Sequence, residues 1–140
     1  MTETTEMTGS CLCGAVAFTA TGVDTDHHAC HCQMCRRWAG GPVFASTVET
    51  VQFRGGEHIG RYDSSEWAER GFCRKCGSNM FYRLKEADQY LICNGAFDDA
   101  DAFKLAGELF IDLKPAGYAF AGDHERLTEE ETFAKFMPSD

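Results

Sequence analysis

A chain of 140 residues with 44% hydrophobic content has the size of one domain and enough apolar material for a core. Its formal charge of −9 repels a phosphate backbone, which argues against a nucleic-acid module and leaves only a local basic patch open. No apolar run approaches the ~20 residues of a membrane span, and no apolar signal region opens the chain, so no membrane segment and a reducing cytoplasmic compartment are expected.

Met1 to Ser10 is polar and reads as a mobile tail, with residues 1–8 outside the expected domain and residues 9–137 forming a single zinc-binding β domain. The chain has only three prolines and no low-complexity run. Cys11-Leu12-Cys13-Gly14 comes first, and in Ala15 to Thr21 the apolar Val16 and Phe18 alternate with smaller residues, as in a strand with one apolar face. Asp24 to His28 reads as a polar connection. Cys32 to Ala39 reads as one or two helical turns carrying Cys35, Arg36 and Trp38, stopped by Gly40-Gly41-Pro42.

Val43 to Phe53 reads as one strand, Gly55-Gly56 as a turn and Glu57 to Tyr62 as the next strand. Glu69 to Cys73 leads into the knuckle Cys73-Arg74-Lys75-Cys76-Gly77. Asn79 to Leu84 and Gln89 to Phe97 read as a hairpin, and Asp98 to Phe103 as a short helical turn. Glu108 to Leu113 alternates again, and Tyr118-Ala119-Phe120 reads as packed on the core. Thr128-Glu129-Glu130-Glu131 matches a capping box, which starts a short C-terminal helix with Phe133 and Phe136 on one face. The class is mainly β: small antiparallel sheets pinned by zinc, with short helices after the central cysteines and at the C-terminus.

The chain has eight cysteines, and in a reducing compartment their close pairs suit metal better than disulfides. Cys30 and Cys32 sit two apart on an extended segment and point to the same side. Cys35, three further on a helical turn, brings a third sulfur to the same point. Three ligands leave a tetrahedral zinc one place for water or substrate. Cys11 with Cys13, and Cys73 with Cys76, together complete a closed four-thiolate zinc. The other pairings either strand the Cys73/Cys76 knuckle or split the central cluster. Cys93 lies outside the pattern: it reads as a buried strand residue, with a fourth ligand for the central cluster as its alternative.

The order C-x-C, C-H-C-x-x-C-R-R and C-x-x-C-G over roughly Gly9 to Tyr118 resembles the glutathione-dependent formaldehyde-activating enzyme family. Centromere protein V is similar. The resemblance implies a β-tent fold, a structural zinc on Cys11, Cys13, Cys73 and Cys76, and a second zinc on Cys30, Cys32 and Cys35 near the thiol substrate. It implies a carbon–sulfur lyase that equilibrates S-hydroxymethylglutathione with glutathione and formaldehyde.

An open three-thiolate zinc can hold a substrate thiol deprotonated. The expected ligand is therefore a small thiol or thiol–aldehyde adduct. Arg36 and Arg37 are expected to hold its carboxylates by charge-assisted bonds. His31, between two ligands, points away from the metal and reads as a packing or surface residue, with a hydrogen-bond donor behind the ligands or a proton carrier as its alternative. His27 and His28 are rival ligands that a thiolate-rich set does not require, and His58 and His124 carry no motif. Trp38 and Trp67 read as core or pocket wall. The alternative function is a non-catalytic zinc-stabilised β domain that binds a protein partner.

Overall fold

The computed structural model describes residues 6–136. Strands β1 (Met7–Ser10), β2 (Ala17–Thr21) and β5 (Thr50–Arg54) form a small antiparallel sheet in the order β1-β2-β5. A larger sheet takes β3 (Asp26–Cys30), β4 (Val43–Thr47), β6 (Ile59–Asp63), β7 (Ala68–Cys73), β8 (Asn79–Leu84), β9 (Gln89–Cys93), β10 (Lys104–Leu109) and β11 (Glu125–Arg126). Its order is β11-β10-β3-β4-β9-β8-β7-β6, antiparallel except where β10 runs parallel to β3 and β11. Helix α1 (Gln33–Ala39) follows β3, and α2 (Glu129–Phe136) comes after β11. The protein is mainly β with two short helices, as the sequence pattern predicts.

The core lies between the two sheets. Phe18 and Ala20 of β2 are fully buried, and Phe18 meets Phe53 of β5 at 6.3 Å and Phe97 at 5.2 Å between ring centroids. Phe53 continues the contact to Phe81 of β8 at 5.4 Å. Truncating a buried ring such as Phe18 typically costs ~3–5 kcal/mol. Gly71 of β7 lies beneath the Phe81 ring, where an added Cβ would come within 2.1 Å of it.

Several expected boundaries move. The polar N-terminal segment is not all tail: β1 pairs with β2 from Met7↔Ala20 to Ser10↔Ala17. Main-chain bonding holds this strand although Thr8 and Ser10 are polar; Met7 packs against the core, and Thr8 Oγ1 donates to Asp98 Oδ2 at 2.7 Å. Residues 1–5 of the expected tail, and residue 137 at the expected domain end, lie outside the described residues.

The expected strand Val43 to Phe53 is two strands in different sheets. At the break, buried Val48 donates its N–H to Tyr90 O of β9, and Glu49 donates to Thr21 O of β2, so the chain steps from one sheet to the other. Asp26 to His28, expected as connection, is strand because it lies between β10 and β4. His27 packs there between Phe44 at 5.6 Å and Phe103 at 6.1 Å. The strand expected from Gln89 to Phe97 ends at Cys93, and the alternation after Glu108 ends at Leu109, where Phe110 turns left-handed (φ 57). The capping box forms: Glu131 N–H donates to Thr128 Oγ1 at 3.2 Å, and Thr128 N–H to Glu131 Oε1 at 2.9 Å.

Candidate metal centres and active site

The end of β7 and the loop between β1 and β2 bring Cys11, Cys13, Cys73 and Cys76 together, all four sulfurs within 4.8 Å of one another. Cys11 Sγ and Cys13 Sγ are 3.7 Å apart, and Cys13 Sγ and Cys73 Sγ 3.8 Å. Four sulfurs bound at ~2.3 Å in a tetrahedron would lie ~3.8 Å apart. Each half is a tight knuckle in which the residue after the second cysteine needs a left-handed backbone. Gly14 (φ 82) and Gly77 (φ 81) supply it, and Gly77 N–H returns to Cys73 O at 2.8 Å.

Main-chain N–H groups point at these sulfurs. Val16 N–H donates to Cys11 Sγ at 3.3 Å and Lys75 N–H to Cys73 Sγ at 3.4 Å. Burial raises the Cys11 thiol, but the Val16 N–H and the neighbouring thiols outweigh it and leave it lowered. The Ser78 hydroxyl and N–H push Cys76 down to about 5. Cys11 and Cys73 also belong to the hydrophobic core, so the cluster fastens the two sheets together at the core's edge.

The second cluster sits at the junction of β3 and α1. Cys30 ends β3; Cys32 is the N-cap of α1, with Sγ accepting from Cys35 N–H at 3.3 Å; Cys35 is buried in the first turn. The three sulfurs lie within 4.8 Å of one another, and no fourth His, Cys or carboxylate joins them among the described residues. The thiols of Cys30 and Cys35 push Cys32 down to about 2, while the sulfurs of Cys32 and Cys35 drive Cys30 up. Three sulfurs that must share their protons when alone can all be anionic beside a cation. Both clusters therefore fit a thiophilic divalent metal.

Arg70 of β7 reaches the second cluster from the sheet. It is 3% exposed, and its Nη1 and Nη2 lie 3.7 and 3.8 Å from Cys35 Sγ. The guanidinium lies 5.0 Å from the ring centroids of both Trp38 and Tyr82. The two arginines expected at substrate are placed differently. Arg36 is half-buried and donates Nε–H to His31 O at 2.9 Å. Arg37 is exposed and sits one turn from Gln33, whose amide oxygen accepts from it at 3.1 Å once the amide is oriented correctly.

A cleft opens beside α1, with a volume of about 190 Å³ and a wall that includes Trp38, Val43, Phe44, Asn79 and Cys93. Asn79, Cys93 and Gly95 also border a neighbouring space of about 350 Å³ that reaches Cys11. Cys93 ends β9, half-buried and outside both sulfur clusters. It is thus less enclosed than the expected buried strand residue, because the strand ends at the cleft. Burial around its sulfur nevertheless pushes the thiol up to about 12.

A family model described as glutathione-dependent formaldehyde-activating enzyme matches residues 6–112. The chain belongs to that family. An uncharacterized lyase of Schizosaccharomyces pombe is 31% identical over 134 residues, which cover 94% of this chain and 98% of that protein. A Halomonas elongata protein provisionally named a glutathione-dependent formaldehyde-activating enzyme is 32% identical over 83 residues, 52% of this chain and 53% of its own length. A crystal structure of a Rhodobacter sphaeroides protein matches with a TM-score of 0.56 at 25% identity, over 71% of this chain and 97% of that one.

In this member of the formaldehyde-activating family all eight cysteines fall inside the matched residues. A buried clasp reaches beyond them. His31, fully buried, bonds through Nε2 to Glu108 Oε1 at 2.7 Å and through Nδ1 to the Tyr118 hydroxyl at 2.9 Å. Glu108 Oε2 accepts from His124 Nε2 at 2.6 Å and Arg126 Nε at 3.0 Å. The clasp holds the backbone between Cys30 and Cys32 against the C-terminal part of the chain. Phe120 packs there as expected, 5.8 Å from His31 and 5.3 Å from Phe44.

Sequence reasoning missed Arg70, Glu108 and His124. For Arg70 and Glu108 the only signal was charge in a segment patterned as strand, and His124 carried no motif; neither reveals a partner.

Proposed function

We propose that this protein is a zinc-dependent carbon–sulfur lyase of the cytoplasm. It opens a thiol–aldehyde adduct such as S-hydroxymethylglutathione into thiol and aldehyde. One observation carries the reading: among the described residues the three-sulfur cluster of Cys30, Cys32 and Cys35 stays one ligand short, whereas the other cluster has four; a cleft is walled by Trp38 of the same helix and by Val43, the ladder partner of Cys30. The name of the Halomonas elongata relative points to the same chemistry. Zinc held by three thiolates keeps one coordination place and favours a soft sulfur ligand over making hydroxide.

The chain's own residues supply the rest. Cys32 and Cys35 are fixed by the start of α1, and Cys30 by the strand pairing of β3 with β4 and β10. Trp38, Phe44 and Asn79 wall the space for the organic part of the adduct. We assign Arg37, and the Nη groups that Arg36 does not use on His31, to the carboxylates of a glutathione-like thiol. In the reaction the carbon–sulfur bond breaks and sulfur keeps the electron pair. The adduct hydroxyl loses its proton as the carbonyl forms, and the aldehyde departs.

The test is NMR exchange between formaldehyde, glutathione and their adduct, with zinc X-ray absorption on the same sample. Faster exchange, and one added sulfur at one of two zinc ions on saturation with glutathione, are expected. Exchange no faster than without protein, or a second zinc already closed by a fourth protein ligand, would overturn the reading.

A further inference from the structure

We propose that Arg70 is a specificity-determining residue of the three-sulfur centre: its fixed positive charge makes the open place take an anionic ligand, a thiolate, in preference to a neutral one. The proposal rests on the reading of that centre as an open metal site.

Arg70 is a buried cation in an unusual setting. Arg61 and Arg83 share Glu69, and Arg126 pairs with Glu108. Among the described residues no carboxylate pairs with Arg70. Its Nε has no partner, and both Nη atoms face Cys35 Sγ. A guanidinium taken out of water needs an anion, and the anion within reach is this sulfur set. The rings of Trp38 and Tyr82, each 5.0 Å from it, help to hold the fork in place. The residue also sits mid-strand, opposite Tyr82 in one ladder and Tyr62 in the other, which fixes its backbone.

The consequence is a matter of charge. Three thiolates on a divalent ion carry a net −1, and Arg70 brings the centre to zero. A thiolate in the fourth place then leaves −1, where without Arg70 it would leave −2 in a buried setting. A neutral ligand changes nothing in either case. Among the described residues no such cation bonds the four-sulfur cluster: its sulfurs are served by N–H groups and a hydroxyl, and its fourth ligand is built in.

The experiment uses protein loaded with two cobalt(II) ions, whose visible and sulfur-to-metal charge-transfer bands report the ligands of each site. The four-sulfur centre serves as an internal standard. Wild type, Arg70→Met and Arg70→Lys are titrated at fixed pH with 2-mercaptoethanol, azide and imidazole, none of which offers a carboxylate to Arg36 or Arg37. In Arg70→Met the thiol and azide are expected to bind on the order of tenfold more weakly. Imidazole should change by less than about threefold, and Arg70→Lys should keep the preference for anions.

Unchanged azide and thiol affinities in Arg70→Met would overturn the proposal, as would an equal loss for all three ligands. If Arg70→Met fails to fold or to load its second cobalt, Arg70→Lys decides: a folded, loaded lysine variant that has lost the preference overturns it, and one that keeps it supports it. A wild type that takes thiol and azide but does not split the adduct ends the lyase reading and leaves Arg70's role standing. A wild type that takes none of the three ends both.

Discussion

The two sulfur clusters draw their positive partners from different sources. The four-sulfur cluster receives main-chain N–H bonds at Cys11 and Cys73, and both of these residues are part of the hydrophobic core. The three-sulfur cluster has a helix cap at Cys32 and a buried guanidinium at Cys35. The first is stitched between segments 60 residues apart, so binding there is folding energy. The second lies within one short loop and one helical turn, so its metal closes almost no chain. On the proposed reading, identical ligand atoms serve a fastener in one place and an exchangeable centre in the other.

The largest effect should come from breaking the fastener. Cys73→Ser is expected to lose one of two zinc ions and to unfold below ordinary assay temperatures, since a structural site contributes on the order of 10 kcal/mol of apparent binding energy. Metal analysis with thermal unfolding checks it; two zinc ions and an unchanged Tm would sink the division of roles. Cys32→Ser should do the opposite. It should lose the other zinc and all thiol-dependent turnover, while the Tm falls by only a few degrees. A collapse as deep as that of Cys73→Ser would make both centres structural.

A smaller effect concerns acid. Glu69 and Glu108 are nearly fully buried, and burial alone would raise both carboxyls. Arg83 and Arg61 outweigh it at Glu69, and His124 and His31 at Glu108, so both end below the ordinary range. A carboxylate lowered in the folded state adds stability that is fully present above its unfolded value of ~4.3 and is lost as pH falls through the folded value. The Tm should hold level from pH 7 to about 5 and fall below that, less steeply in Glu108→Gln. Metal content measured at each pH separates this from acid release of zinc. A slope identical in Glu108→Gln would remove Glu108 from the account. The smallest effect is expected at Cys93. Cys93→Ser should keep both zinc ions and shift stability by less than about 1 kcal/mol; loss of a zinc would add Cys93 to the three-sulfur set.

The cysteine sets were legible because knuckle geometry is local: a C-x-C or C-x-x-C pair needs only its own few residues, and Gly14 and Gly77 mark the turns. The hairpin of β8 and β9 and the capped α2 were legible for the same reason. Arg70 was not, because Trp38, Tyr82 and Cys35 meet it only after three separate segments pack. Glu108 sat in an alternating segment whose polar positions read as outward, yet the clasp turns it inward. The division of Val43 to Phe53 into two strands was hidden too: Val, Phe and Thr suit either sheet, and only the bonds at Val48 and Glu49 show where the chain crosses.

The clasp on His31 has a consequence for how the molecule comes into being. Glu108 is 77 residues and Tyr118 is 87 residues downstream of the histidine they hold. Chain synthesis runs from the N-terminus, so the ribosome releases Cys30, Cys32 and Cys35 long before β10 and the segment after it exist. The hairpins from β6 to β9 can close as they emerge, because their partners are neighbours in sequence, whereas the parallel β3–β10 ladder must wait for a long loop to close. Until β10 emerges, β3 has only its pairing with β4, and the three thiols stand beside a strand whose other edge is open. A metal ion caught there early would be held by a flexible loop, and the rigid geometry of the centre is one of the last things the nascent chain acquires.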